Sequence, residues 1–173
     1  SMVKDIMNPS PLTLNPEMPV STALDMLLDN HFTSAPVIGI DNRLVGFLSA
    51  HDVMVDLWCQ DYLPTKEQTV ADLMSRDVVA IDANERLVDV VEFLCIDKDQ
   101  LYPTTSMGMT TRVTSLSLEE RAKSIKVNKP QILPVLENGL MVGVVTRNEV
   151  LKALRPIYAE RLDRVDEDVL VTA

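Results

Sequence analysis

Apolar residues fall along this chain in two rhythms, and each rhythm occurs twice. Val20, Ala23, Leu24, Leu27 and Leu28 stand at i, i+3, i+4, i+7 and i+8, and Leu87, Val90, Val91, Leu94 and Cys95 repeat that spacing 67 positions later. Such a stripe predicts a helix packed on one side, with Ser21 placed to cap the first. Ahead of each stripe, Val3-Lys-Asp-Ile-Met7 returns as Val70-Ala-Asp-Leu-Met74 at the same displacement, and we read both as opening strands. Beyond each stripe the pattern becomes apolar run, polar turn, apolar run: "APVIGIDNRLVGFLS" and "LPVLENGLMVGVVT". Each predicts a hairpin. Asn138-Gly139 is the stronger turn, because both positions accept positive φ, and Asp41-Asn42 is a softer version with one extra residue. A short helix follows each hairpin, carrying Val53, Leu57 and Trp58 in one copy and Val150, Leu151 and Leu154 in the other. Pro156 is expected to end or bend the second.

Each unit thus reads strand–helix–strand–strand–helix. At about 55 residues, such a unit buries too little surface to stand alone. The expected fold class is therefore α+β, an α/β sandwich-like pair of β-α-β-β-α repeats related by a pseudo-twofold and packed sheet to sheet. The boundaries read as 1–63 for the first repeat, 64–156 for the second and 157–173 for an acidic tail, expected to be solvated or frayed. The displacement grows from 67 to 98 at Pro36 and Pro134, so the second repeat carries an insertion of about 31 residues, near 97–127. Its first part reads as loop. A helix follows, with Leu118, Ala122 and Ile125 on one face and Ser117 to Glu120 as a capping-box-like start. The insertion is either a tolerated surface addition or a lid or partner-docking loop.

Composition narrows the choices. Aromatic residues make up 4% of the chain against 46% hydrophobic overall, so Val, Leu, Ile, Met and Ala must build the core. A net charge of −10 repels phosphate backbones and anionic lipid, which argues against nucleic acid or membrane as partner. No stretch has the length and apolarity of a membrane-spanning helix or the pattern of a secretory leader, and the expected location is the cytoplasm. Cys59 and Cys95 sit among apolar neighbours without metal-ligand spacing, and read as two buried, reduced thiols.

The chemistry is carried by a phrase written twice, 97 positions apart: "GFLSAHDV" from Gly46 and "GVVTRNEV" from Gly143. A hydroxyl followed three residues later by an acid, where a strand becomes a helix, is a helix cap with its reciprocal partner. The same groups suit a ligand. Ser49 and Thr146 would stand at helix N-termini, which favour an anion such as phosphate. Asp52 and Glu149 can each accept two hydrogen bonds from a vicinal diol. A cleft holding both fits an adenosine phosphate.

The order and duplication of these segments resemble the cystathionine-β-synthase (CBS) domain, here as a tandem pair or Bateman module. "VKDIM" and "VADLM", "APV" and "LPV", "GFLSAHD" and "GVVTRNE", and "AKSIKVNKPQILPV" carry the likeness, which covers about Met2 to Leu154. The resemblance implies an adenosine-containing ligand (AMP, ADP, ATP or S-adenosylmethionine, in some members NAD) held between the repeats as a regulatory ligand rather than an obligatory cofactor. It also implies a homodimer of flat discs joined through helices, and an effector protein that responds. Carried over by position, one site would use Ser49, Asp52 and His51, walled by Met74, Arg76 and Val79 and by Gln131 and Ile132. The other would use Thr146, Glu149 and Arg147, lined by Met7 to Leu12 and by Thr33 and Ser34. Lys129 is a further candidate for phosphate. Glu149 replaces the Asp the family prefers and adds a methylene, so the Asp52 site is favoured.

Catalysis is not expected. There is no nucleophile–base pair, metal-ligand spacing or Gly-rich phosphate loop, and His31 and His51 are too isolated for a metal or a relay. Two readings remain: a ligand-sensing regulatory module, and a ligand-free dimerisation or docking module whose capping boxes only cap.

Overall fold

The computed structural model describes residues 1–64, 66–95 and 131–172, with side chains described as far as Glu160. The insertion at 97–127, the capping start at Ser117 and Lys129 lie outside the described residues. In chain order the elements are α1 (Val3–Ile6), α2 (Val20–Asp29), β1 (Ser34–Ile38), β2 (Leu44–Ser49), α3 (Ala50–Cys59), α4 (Val70–Leu73), β3 (Ile81–Asp82), α5 (Leu87–Cys95), β4 (Ile132–Glu137), β5 (Leu140–Thr146) and α6 (Arg147–Thr172).

The two hairpins are copies down to their irregularities. Antiparallel β1–β2 pairs Ser34 with Ser49 and Val37 with Gly46, then shifts register between Val37 and Ile38. Antiparallel β4–β5 pairs Ile132 with Thr146 and Val135 with Gly143, then shifts between Val135 and Leu136. A parallel partner lies beside each first strand, Leu14 against Val37 and Ile81 against Val135. Asn138 (φ 53°) and Gly139 (φ 81°) make the predicted turn, and Asp41 and Asn42 (φ 59° and 60°) make its counterpart.

The opening segments differ from expectation. They are single helical turns, α1 and α4, not strands, because an acid closes each on itself: Asp5 accepts from the Met2 N–H and Asp72 from the Thr69 N–H, both at 2.9 Å. Each turn also packs on the other repeat. Val3 and Lys4 donate to the carbonyls of Glu85 and Ala83, while Val70 and Ala71 donate to those of Met18 and Pro16. These two pairs are images of one another at a displacement of 67. Val3 is accordingly fully buried with Leu87, Val90, Leu133, Val135 and Val145, and Val70 with Ala23, Leu27, Ala35, Val37 and Leu48. Neither core is complete without a segment from the other half. Burial of one such aliphatic side chain contributes about 1.5–3 kcal/mol, so the exchange ties the halves into one unit.

Four further expectations are corrected. Helix α2 begins at Val20 with Pro19, not Ser21, at its N-cap, because the Val20 N–H is satisfied at 2.9 Å by the Gln68 carbonyl of the exchanged segment. Cys59 and Cys95 are exposed, not buried. Cys95 is the last position of its stripe, about 80° around the helix from the first, and its counterpart Leu28 is 71% exposed. Cys59 belongs to the last turn of α3, past the core contact made by buried Val55. Pro156 does not end the final helix, which runs through it to Thr172; proline removes one backbone donor but leaves the other turns intact. The tail is accordingly helical, with Ile157 and Tyr158 exposed.

Candidate functional site

Ser49 ends β2 in extended conformation (φ −124°, ψ 158°) and begins α3. Its N–H and Oγ donate to Asp52 Oδ2 at 3.0 and 2.9 Å, and its Oγ accepts from the Asp52 N–H at 3.2 Å. The Ala50 N–H donates to the Thr33 carbonyl at 2.8 Å, which ties the helix start to the residue before β1. Serine and aspartate three apart satisfy one another where the helix leaves backbone donors unpaired. Both side chains are half-buried, and so is His51 between them.

Thr146 and Glu149 form the corresponding cap at the start of α6. The Thr146 N–H donates to Glu149 Oε2 at 2.7 Å, and the Thr146 hydroxyl donates to the same oxygen. That hydroxyl accepts from the Asn148 N–H at 3.2 Å, one residue earlier than in the Ser49 cap. Arg147 is exposed and Glu149 half-buried.

What stands beside each cap follows from the exchange of opening segments. Ser75 and Phe47 trade backbone hydrogen bonds at 2.8 and 2.9 Å, two residues before Ser49. Asn8 and Val144 trade theirs at 3.0 and 2.8 Å, two residues before Thr146. Met74 is thereby buried against Gly46, with Arg76 and Val79 exposed just beyond it. Met7 lies against Gly143 and on the second core, whereas Leu12 packs on the first. Ser34, 7% exposed, is the ladder partner of Ser49, and Ile132, 8% exposed, is that of Thr146. Gln131 is exposed just before it. Thr33, Ser34, Gln131 and Ile132 therefore each border the helix start of their own repeat, and β1 and β4 meet where the repeats face one another.

At the start of α4, just before Met74, the Thr69 N–H and, next, its hydroxyl hold the Asp72 carboxyl below its ordinary value. Sequence reasoning missed the pairs Asn8–Gly143 and Ser75–Gly46. The available signal was a glycine inside each strand pattern, which marks close backbone approach. Among the described residues no group of three or more His, Cys, Asp and Glu could hold a metal ion, and no helix is long and apolar enough to cross a membrane.

The family model of the CBS domain matches residues 3–58. A Methanocaldococcus jannaschii protein, MJ1225, is 24% identical over 157 residues, 91% of this chain and 44% of its own length. The chain thus spans less than half of that curated relative. Among solved structures, Arabidopsis thaliana CBSX2 in complex with AMP superposes with a TM-score of 0.60 at 24% identity, covering 91% of this chain and 98% of its own. The CBS domain pair of MJ0100 in complex with 5-methylthioadenosine and S-adenosyl-L-methionine gives 0.56 at 18% identity, covering 90% and 97%. Residues 3–58 are a CBS domain, and the chain as a whole has the α+β fold of a tandem CBS pair.

Proposed function

We propose that the chain is a non-catalytic regulatory module that binds an adenosine-containing ligand, AMP, ADP, ATP or S-adenosylmethionine, in the cleft between its repeats. Self-association through exposed helix faces and an effector protein that reads the liganded shape complete the proposal. The observation that carries it is the Ser49–Asp52 pair at the start of α3, set two residues beyond the Phe47–Ser75 contact between the halves. A carboxylate there can turn from Ser49 to a ribose diol, and Ser49 Oγ with the α3 N-terminus can meet phosphate. Arg76, exposed one residue beyond the Phe47–Ser75 contact, can supply positive charge, and half-buried His51 a ring nitrogen for hydrogen bonding. The AMP and S-adenosylmethionine complexes of the structural neighbours support the ligand class. Because the contact between halves lies so close, occupancy shifts their relative packing, and a partner surface senses the shift.

The competing reading is a ligand-free dimerisation or docking module. It is favoured by one observation: in this structure both carboxylates are already turned onto their own caps. Thermal unfolding against a panel of adenosine ligands separates the two. At 100 times its dissociation constant a ligand that binds only the folded chain stabilises it by about 2.7 kcal/mol. Asp52→Ala lowers the unliganded baseline by about 1 kcal/mol through the lost cap and abolishes the ligand increment. A flat response to the whole panel favours the docking module.

A further inference from the structure

We propose that Gln60 latches the linker between the repeats, and that the closed latch positions the Ser75 wall against the Ser49–Asp52 cap. Helix α3 carries that cap at one end and Gln60 at the other, about 15 Å away. The side-chain amide of Gln60 uses both of its hydrogens. It donates to Asp56 Oδ2 one turn back and to Gln68 Oε1 at 3.2 Å, and all three residues are half-buried. Gln68 is in turn a junction. Its carbonyl accepts the Val20 N–H at the start of α2, and Thr69 beside it pairs with Pro19 and caps α4 with Asp72. Helix α4 then delivers Met74 to Gly46 and Ser75 to Phe47. Phe47, Ser49, α3, Gln60, Gln68, α4 and Ser75 therefore form one closed ring, with the latch at the far end of α3 from the cap.

Two features single this contact out. It is not repeated: 97 positions on, Asp56 becomes Ala153 and Gln60 becomes Ile157, and α6 runs straight through both. The caps and the strand crossings occur twice, whereas the latch occurs once, where one linker joins the repeats. The chain also leaves α3 under strain. Asp61 and Tyr62 are both left-handed, with φ 52° and 61°, a conformation costly to any residue with a Cβ, and 61–64 are all exposed. Such a backbone persists only where its surroundings hold it. The Trp58 and Leu57 carbonyls hold the N–H groups of Asp61 and Tyr62, and Gln60 carries the hold onward to Gln68. With the latch open the linker loses this tie to α3, and the Ser75 wall moves more freely beside the Asp52 cleft. The Thr146 cleft has no counterpart of the latch among the described residues.

The consequence for ligand binding rests on the function proposed above; the latch itself does not, and residue-resolved amide exchange of the unliganded chain tests it. The variants are Gln60→Leu, Gln68→Leu, both together, and Gln68→Glu, which keeps the acceptor. The expected result is exchange about fivefold faster at Val20 and Ser75 in either leucine variant, the factor an ordinary hydrogen bond supplies. The double variant adds little to either single change, and Gln68→Glu matches wild type. Val144, whose N–H is held by the Asn8 carbonyl at the other crossing, keeps its rate throughout. An unchanged rate at Ser75, additive effects, or equal acceleration at Val144 overturns the latch. Calorimetric titration with AMP and S-adenosylmethionine then reads the consequence: weaker binding to Gln60→Leu, and wild-type affinity in Gln68→Glu. Unaltered affinity in Gln60→Leu overturns the control of the cleft. A wild-type chain that binds neither ligand overturns the proposed function instead, and the exchange rates alone decide the latch.

Discussion

The carbonyl oxygen of Asn8 stands 2.6 Å from where a Cβ on Gly143 would be, and that of Ser75 stands 2.9 Å from where one on Gly46 would be. The glycine that opens each copy of the repeated phrase is therefore the place where the other half's opening segment crosses the strand. Methionine completes both contacts: the sulfur of Met7 would lie 2.8 Å from the Gly143 Cβ and that of Met74 2.5 Å from the Gly46 Cβ. A thioether chain can swing away, but a backbone carbonyl cannot without breaking the paired hydrogen bonds around it.

Gly143→Ala is accordingly expected to destabilise the chain by about 1–3 kcal/mol, and Gly46→Ala by somewhat less. Urea unfolding checks both. If both alanine variants match wild type, the close approach is not a constraint.

Two turns make opposite forecasts. Gly139 has φ +81° and nothing within 4 Å of its missing Cβ, so Gly139→Ala meets no clash yet still costs about 1–2 kcal/mol in backbone strain. His31 has φ 59° just after the C-cap of α2, where its N–H and that of Phe32 close on the Leu28 and Leu27 carbonyls. Glycine suits such a position, and His31→Gly is expected to gain about 0.5–1 kcal/mol. Denaturation midpoints of the two variants should move in opposite directions.

Acid dependence follows from Asp72. Hydrogen bonds from Thr69 lower its pKa in the folded chain, so ionised Asp72 favours folding above the unfolded-state value, and that contribution fades as pH falls through the lower folded value. Unfolding free energies measured below the ordinary Asp pKa should therefore vary less steeply with pH in Asp72→Asn than in wild type. Equal slopes would remove Asp72 from the acid response.

Local features were legible in the sequence, and long-range ones were not. Asn138-Gly139 specifies its turn by backbone preference alone. Ser49 with Asp52, and Thr146 with Glu149, specify their caps within four residues. The helical stripes mark Ala23, Leu27, Leu87 and Val90 as core. By contrast, nothing near Val3 or Val70 announces that each belongs to the other half's core, so their segments read as strands. The N-cap at Pro19 escaped notice for the same reason, since its Val20 donor is satisfied by Gln68. Periodicity overreached at Cys95 and Leu151, where apolar side chains continue past the buried face. Of the candidate site, the two capping pairs were legible, while the Met7 and Met74 contacts at Gly143 and Gly46 depend on the exchange.

Titration calorimetry of AMP, ATP and S-adenosylmethionine into wild type, Asp52→Ala and Glu149→Ala goes to the centre of the account. At least one of these ligands should give saturable heat with wild type, keep it with Glu149→Ala and lose it with Asp52→Ala. Undiminished binding to Asp52→Ala, or silence from all three ligands in the wild-type chain, would contradict it.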